Sequence, residues 1–158
     1  MGINTEILLA GEGESFWVLG DLYTFKVTGK QTNGAFTIID QIIMPGGGPP
    51  PHIHHREDET FYVMSGMFSF LSGDVEKMLG PGSFVYVPKG TIHTFRNVGD
   101  SQGRLLVSIT PAGLEEFFYS IGNPADDVNK PPAFDPAVID KVIRLAGDYN
   151  MSISLPNK

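Results

Sequence analysis

Cysteine is absent from this 158-residue chain. That excludes disulfides, iron–sulfur clusters, thiolate zinc sites and thiol nucleophiles, and makes the cytoplasm the expected compartment. Positive charge is scarce. Eleven Lys and Arg stand against 18 Asp and Glu, a formal net charge of −7. No basic cluster offsets this deficit, so a nucleic-acid partner is not expected, because phosphate binding needs a basic face. Long apolar runs are missing too: none approaches the roughly 20 residues of a membrane span, so no membrane partner is expected. The apolar run in MGINTEILLAGEGES is too short for a secretory leader and has no basic flank. Glu6 departs from the myristoylation motif that Gly2 would begin. There is no phosphate-cradling Gly-Lys-Ser/Thr loop and no G-x-S-x-G nucleophile turn. GEGESF at 11–16 lacks the third glycine and the βαβ context of a dinucleotide site.

What is present favours strands. Nineteen glycines and 12 prolines supply turns, and 41% hydrophobic residues supply a core. The length fits one domain, 1–158, burying roughly 70% of its unfolded surface. From about 16 to 110, nine short runs rich in Val, Ile, Phe, Tyr and Thr read as strands: FWVL, LYTFKVT, AFTIIDQIIM, ETFYVM, MFSFL, VEKML, SFVYV, IHTFRNV and RLLVSIT. Turn residues separate them, and VMSGMF and FLSGDV read as tight hairpins. Many short strands with regular turns predict an all-β sandwich or barrel.

After Thr110 the period changes. Leu114, Phe117, Phe118 and Ile121 fall at i, i+3, i+4 and i+7, a helix that Gly122 and Pro124 would stop. A second helix begins with Asp135 as N-cap and Pro136 at the first helical position, with Val138, Val142, Leu145 and Tyr149 on its apolar face. MSISL alternates as a last strand. These C-terminal elements, about 112–158, are too short for a second core and should pack on the barrel.

Three of the four histidines follow a glycine–proline run, GGGPPPHIHH at 46–55. Each proline fixes its own φ and disfavours helix in the residue before it, so the stretch is extended and belongs at an edge or strand start. On a strand, His52 and His54 point to one face about 6.6 Å apart, and His55 points away. Glu59 follows after room for a small turn, and His93 lies far along the chain. Singly, each would be read as a packed or solvated side chain. Together they offer three imidazoles and one carboxylate, a donor set that suits divalent first-row metals. Phe61 and Val63 share the parity of Glu59, and Phe95 that of His93, so the three are the expected walls of an apolar substrate pocket. Arg96 is out of phase with His93, Arg56 sits in a charged loop, and the facing of Arg104 is open.

The spacing resembles the two motifs of the cupin family. G-x5-H-x-H-x4-E-x6-G is matched by Gly46, His52, His54, Glu59 and Gly66, and G-x5-P-x-G-x2-H-x3-N by Gly82, Pro88, Gly90, His93 and Asn97. The resemblance implies a jelly-roll β-barrel with a C-terminal helical segment. It also implies homodimerisation and one divalent transition metal ion (Fe, Mn, Ni, Co, Cu or Zn) held by His52, His54, Glu59 and His93. PPPHIHHREDETFYVMSG with SITPAGLEEFFYSIG is further similar to bacterial quercetinase-type proteins. That likeness implies dioxygenation of a flavonol with loss of carbon monoxide, Glu59 taking the hydroxyl proton. A non-oxidative cupin enzyme (isomerase or decarboxylase) and a non-catalytic ligand-binding cupin fit the same ligands. In all three the partner is a small, apolar or aromatic molecule.

Overall fold

A computed structural model of the chain describes residues 4–155. The elements run β1 (Glu14–Val18), β2 (Asp21–Val27), α1 (Gly29–Thr32), β3 (Thr37–Ile43), β4 (His52–His54), β5 (Asp58–Ser65) and β6 (Phe68–Ser72). They continue with β7 (Val75–Leu79), β8 (Phe84–Val87), β9 (His93–Asn97), β10 (Gly103–Thr110), α2 (Glu115–Ile121), β11 (Asn123–Pro124), α3 (Ala137–Ala146) and β12 (Met151–Ile153). Two antiparallel sheets form the barrel, in the orders β11-β1-β2-β3-β10-β5-β8 and β12-β4-β9-β6-β7. All nine expected strands are present. No helix among the described residues is long and apolar enough to cross a membrane.

Strand alternation builds the core. Leu105, Val107 and Ile109 of β10, Phe61 and Val63 of β5, and Phe68 and Phe70 of β6 turn inward. Phe61, Phe70 and Phe95 meet across the sheets, with centroids 5.3 Å (Phe61–Phe70) and 5.6 Å (Phe61–Phe95) apart, both edge-to-face. Each such pair contributes about 0.5–1.5 kcal/mol beyond its buried area.

FLSGDV is a hairpin, with Ser72 opposite Val75. VMSGMF is not. β5 pairs with β10 and β8, whereas β6 pairs with β7 and β9, so Ser65–Met67 carries the chain from one sheet to the other. Gly66 makes the turn at φ 89°, and a Cβ there would stand 2.8 Å from the Gly103 Cα. α1 was not expected from the sequence. It is held by a reciprocal capping box between Thr28 and Gln31.

The glycine–proline run is stitched to β9 and β2. Gly48 passes so close to β9 that a Cβ would collide with the Phe95 carbonyl oxygen. Gly46 donates to Asn97 O, and Asn97 N donates to Gly47 O. Asn97 is a structural hydrogen-bonder: Nδ2 donates to Ile43 O and Ser101 O. The prolines lie at a strand start rather than an edge, since β4 sits between β12 and β9. All three of their carbonyls are used: Pro49 O accepts from Thr94 Oγ1, Pro50 O faces His52 Nδ1, and Pro51 O accepts from Ser154 N.

Asp21 braces the same run, accepting from Met44 N at 2.9 Å. Burial pushes its carboxyl up to about 6, against the opposing pull of the Met44 and Gly48 amides. A raised folded-state value means that the stabilising protonated form is complete below about 4 and lost as pH rises to about 6. Urea unfolding of Asp21→Asn and wild type should therefore shift in favour of the variant by about 1–3 kcal/mol between pH 4 and pH 7. A constant difference over that range would refute the assignment.

The C-terminal helices pack as expected. Leu114, Phe117 and Ile121 are buried. The Asp135 carboxylate accepts from Ala137 N at 3.0 Å, and Val142 anchors α3. Gly147 then begins a separate 3₁₀ turn through Tyr149, before β12 pairs with β4.

Candidate metal centre

β4 and β9 lie side by side, with His52 opposite His93. Both belong to the smaller sheet, and β5 of the larger sheet brings Glu59 to meet them. One ligand atom from each of His52, His54, Glu59 and His93 lies within 4.8 Å of the others. Glu59 Oε2 is 2.6 Å from His93 Nε2 and 3.1 Å from His54 Nε2. The strand parity read from the sequence holds here. His52, His54 and His93 are buried, while His55 is exposed and meets Ser152 Oγ through its Nε2.

Backbone carbonyls orient two of the rings. His52 Nδ1 is 2.9 Å from Pro50 O, and His93 Nδ1 is 3.0 Å from Thr91 O. A carbonyl only accepts, so each Nδ1 carries a proton and each Nε2 is turned toward the centre. His54 differs. Its Nδ1 has no hydrogen-bond partner and lies 3.8 Å from Glu57 Oε2, itself buried and without one. The other oxygen of Glu57 accepts from Arg56, whose Nη1 also donates to Ala112 O.

The electrostatics follow from burial and proximity. Burial, with His54 and His93 nearby, pushes His52 down to about 3, so it is neutral at pH 7. Burial lowers His54, but facing Glu59 outweighs it and the net shift is upward. Burial would raise Glu59, yet contact with His54 and His93 holds it below the usual carboxylate range. Three imidazoles and a carboxylate are donor types that a divalent cation takes, and binding it would release the protons that His54 and His93 share with Glu59.

A cavity opens onto this cluster. His52, His54 and Glu59 line it together with Phe61 and Phe95. Val63 does not: it faces the same interior but packs into the core, beyond the lining. The sequence reading missed the roof, where Phe117 and Phe118 of α2, Val142 of α3 and Met151 of β12 close the space. It also missed Tyr23 and Gln41 on the opposite wall. Gln41 had a signal, as the polar member of the inward row Ile39–Gln41–Ile43; the roof had none, because a helical apolar stripe does not say what it covers. Among the described residues, no Lys or Arg lines the cavity. Arg96 is exposed, and Arg104 turns outward to bind Asp40 bidentately at 2.9 and 2.6 Å.

A two-sheet β-barrel with a histidine–carboxylate cluster inside defines a jelly roll built around a possible metal site. Residues 39–109 match the family model described as Cupin domain, and the chain belongs to the cupins. It is 31% identical over 119 residues to the quercetin 2,3-dioxygenase of Bacillus subtilis (strain 168), covering 75% of this chain and 35% of that protein. To the quercetin 2,3-dioxygenase of Aspergillus japonicus it is 33% identical over 118 residues, covering 70% and 33%. The chain thus spans about a third of the length of these relatives. An RmlC-like cupin from Shewanella frigidimarina NCIMB 400 superposes with a TM-score of 0.62 at 21% identity, covering 72% of this chain and 96% of that one, which shows the shared fold.

Proposed function

We propose that this chain is a metal-dependent dioxygenase of the cupin type, acting on an aromatic, enolisable substrate of the flavonol class. His52, His54, Glu59 and His93 are the proposed ligands of one divalent transition metal ion. The observation that carries the reading is the convergence of three imidazoles on a buried carboxylate in the wall of an aromatic-lined cavity. The likeness to two quercetin 2,3-dioxygenases points to the substrate class.

When bound, the ion supplies Lewis acidity toward an enolic oxygen and, if redox-active, a route for O2 chemistry. The chain's own residues do the rest. Glu59, ionised and beside two imidazoles, is the proposed acceptor of the substrate hydroxyl proton. Phe61 and Phe95 on one side and Phe117 and Phe118 on the other present flat apolar faces to an aromatic ligand and keep water from the cluster. The absence of a cationic lining residue among the described residues disfavours a small carboxylate or phosphate substrate.

Protein reconstituted separately with each candidate metal should consume O2 and release carbon monoxide when given a flavonol. Failure with every metal would sink the dioxygenase. Turnover without O2 would identify a non-oxidative cupin enzyme, and tight binding without product a ligand-binding one.

A further inference from the structure

We propose that Gln41 is the specificity-determining polar anchor of the cavity, its amide binding a hydroxyl on the end of an elongated aromatic ligand that lies away from the histidine cluster. The inference rests on the flavonol-type reading above and deepens it.

Gln41 occupies a position where the fold calls for an aliphatic side chain. It is 4% exposed, between Ile39 and Ile43 on the inward face of β3, and its Oε1 has no hydrogen-bond partner. Among the described residues, the other buried side-chain N and O atoms without partners are His54 Nδ1 and Glu57 Oε2, which face each other beside the metal cluster. Other buried polar groups of the barrel are paired: Asp21 with Met44 N, Asp40 with Arg104, Asn97 with Ile43 O, and Glu115 with Thr37. A buried amide without a partner lowers stability. Gln41 lines the same cavity as His52, His54 and Glu59, so a ligand there can supply the missing bond.

The ladder sets the length of that ligand. Glu59 is level with Ile109 of β10, and Gln41 is level with Leu105. Four residues of strand separate the two levels, roughly 13 Å. A molecule of two or three rings spans that backbone separation. The chemistry sets its polar group. A hydroxyl both donates and accepts, so it satisfies the amide in either orientation. An anionic group is disfavoured, because the cavity has no cationic side chain among the described residues and already holds the Glu59 carboxylate.

The test uses zinc-loaded protein, since zinc is redox-inert and a ligand then binds without O2 turnover. Quercetin and 3-hydroxyflavone share the same 3-hydroxy-4-keto edge and differ in their outlying hydroxyls. Wild type should bind quercetin about tenfold more tightly, and Gln41→Leu should erase that preference while leaving 3-hydroxyflavone affinity within about twofold. A preference that survives in the variant would overturn the proposal. Thermal unfolding of the zinc-loaded protein without flavonol gives an independent reading. Gln41→Leu removes an unpaired buried amide and should raise Tm by about 2–6 °C; a fall of that size would make the amide structural and overturn the proposal. If wild type binds neither flavonol and the variant's Tm still rises, the flavonol reading fails while Gln41 stands as a group kept at the expense of stability for some other hydroxylated ligand.

Discussion

Alanine at His52 or at His93 should cut the metal retained after purification and dialysis by at least about tenfold, measured by elemental analysis, while His55→Ala leaves it nearly unchanged. Changing groups that only support a ligand typically costs 10–100-fold in metal affinity, and loss of a ligand should cost at least as much. His52 and His93 are the two rings whose Nδ1 is held by a backbone carbonyl, Pro50 O and Thr91 O, so their Nε2 atoms are pre-aimed. Removing either also takes away one of the imidazoles facing Glu59 across the cluster. His55 lies one residue out of phase, exposed, against Ser152. Full metal occupancy in both buried variants would refute the ligand assignment. Strong loss in His55→Ala would mean the phase of β4 is misread.

Glu115→Ala should destabilise the fold by about 3–5 kcal/mol in urea unfolding at pH 7. Glu115 opens α2 and is buried. One oxygen accepts from Gly29 N at 2.8 Å; the other accepts from Thr37 Oγ1 at 2.8 Å and Gly113 N at 2.7 Å. One carboxylate thus ties α2 to α1 and β3. Alanine leaves two backbone amides and a hydroxyl without their charged acceptor, and hydrogen bonds to a charged group are among the stronger kind. Burial would raise the Glu115 carboxyl, but these donors outweigh it and hold it below its usual range. A depressed folded-state value contributes stability above the unfolded value of about 4.5 that is lost as pH falls through the folded one. The gap between variant and wild type should therefore narrow toward pH 3. A gap that stays constant, or falls below about 1 kcal/mol at pH 7, would show that the carboxylate does not hold the roof in place. Because α2 carries Phe117 and Phe118, the variant should also loosen the cavity while sparing the four clustered side chains, which lie on β4, β5 and β9.

The carboxylates of Glu59 and Glu115 mark two levels of legibility. Glu59 could be found from the sequence, because it stands five positions after His54, as the motif it resembles places its carboxylate, with room for a short turn between them. Glu115 looked like an ordinary charge on an amphipathic helix. Its partners are 86 and 78 residues away in the chain at Gly29 and Thr37, and no local pattern encodes them.

By itself the sequence determined the donor set, the inward phase of His52, His54, Glu59 and His93, the outward phase of His55 and Arg96, and the strand content of the barrel. Those properties depend on residue chemistry and on a period of two, both of which are local. Only the tertiary structure decided that Ser65–Met67 crosses between sheets instead of closing a hairpin, that Val63 packs in the core while Phe61 lines the cavity, and that the C-terminal helices roof that cavity. It also decided that Gln41 Oε1 is buried without a partner among the described residues. Each of these depends on which distant segment lies alongside, and turn residues and apolar stripes set where a chain bends and which face it buries, not what it meets there.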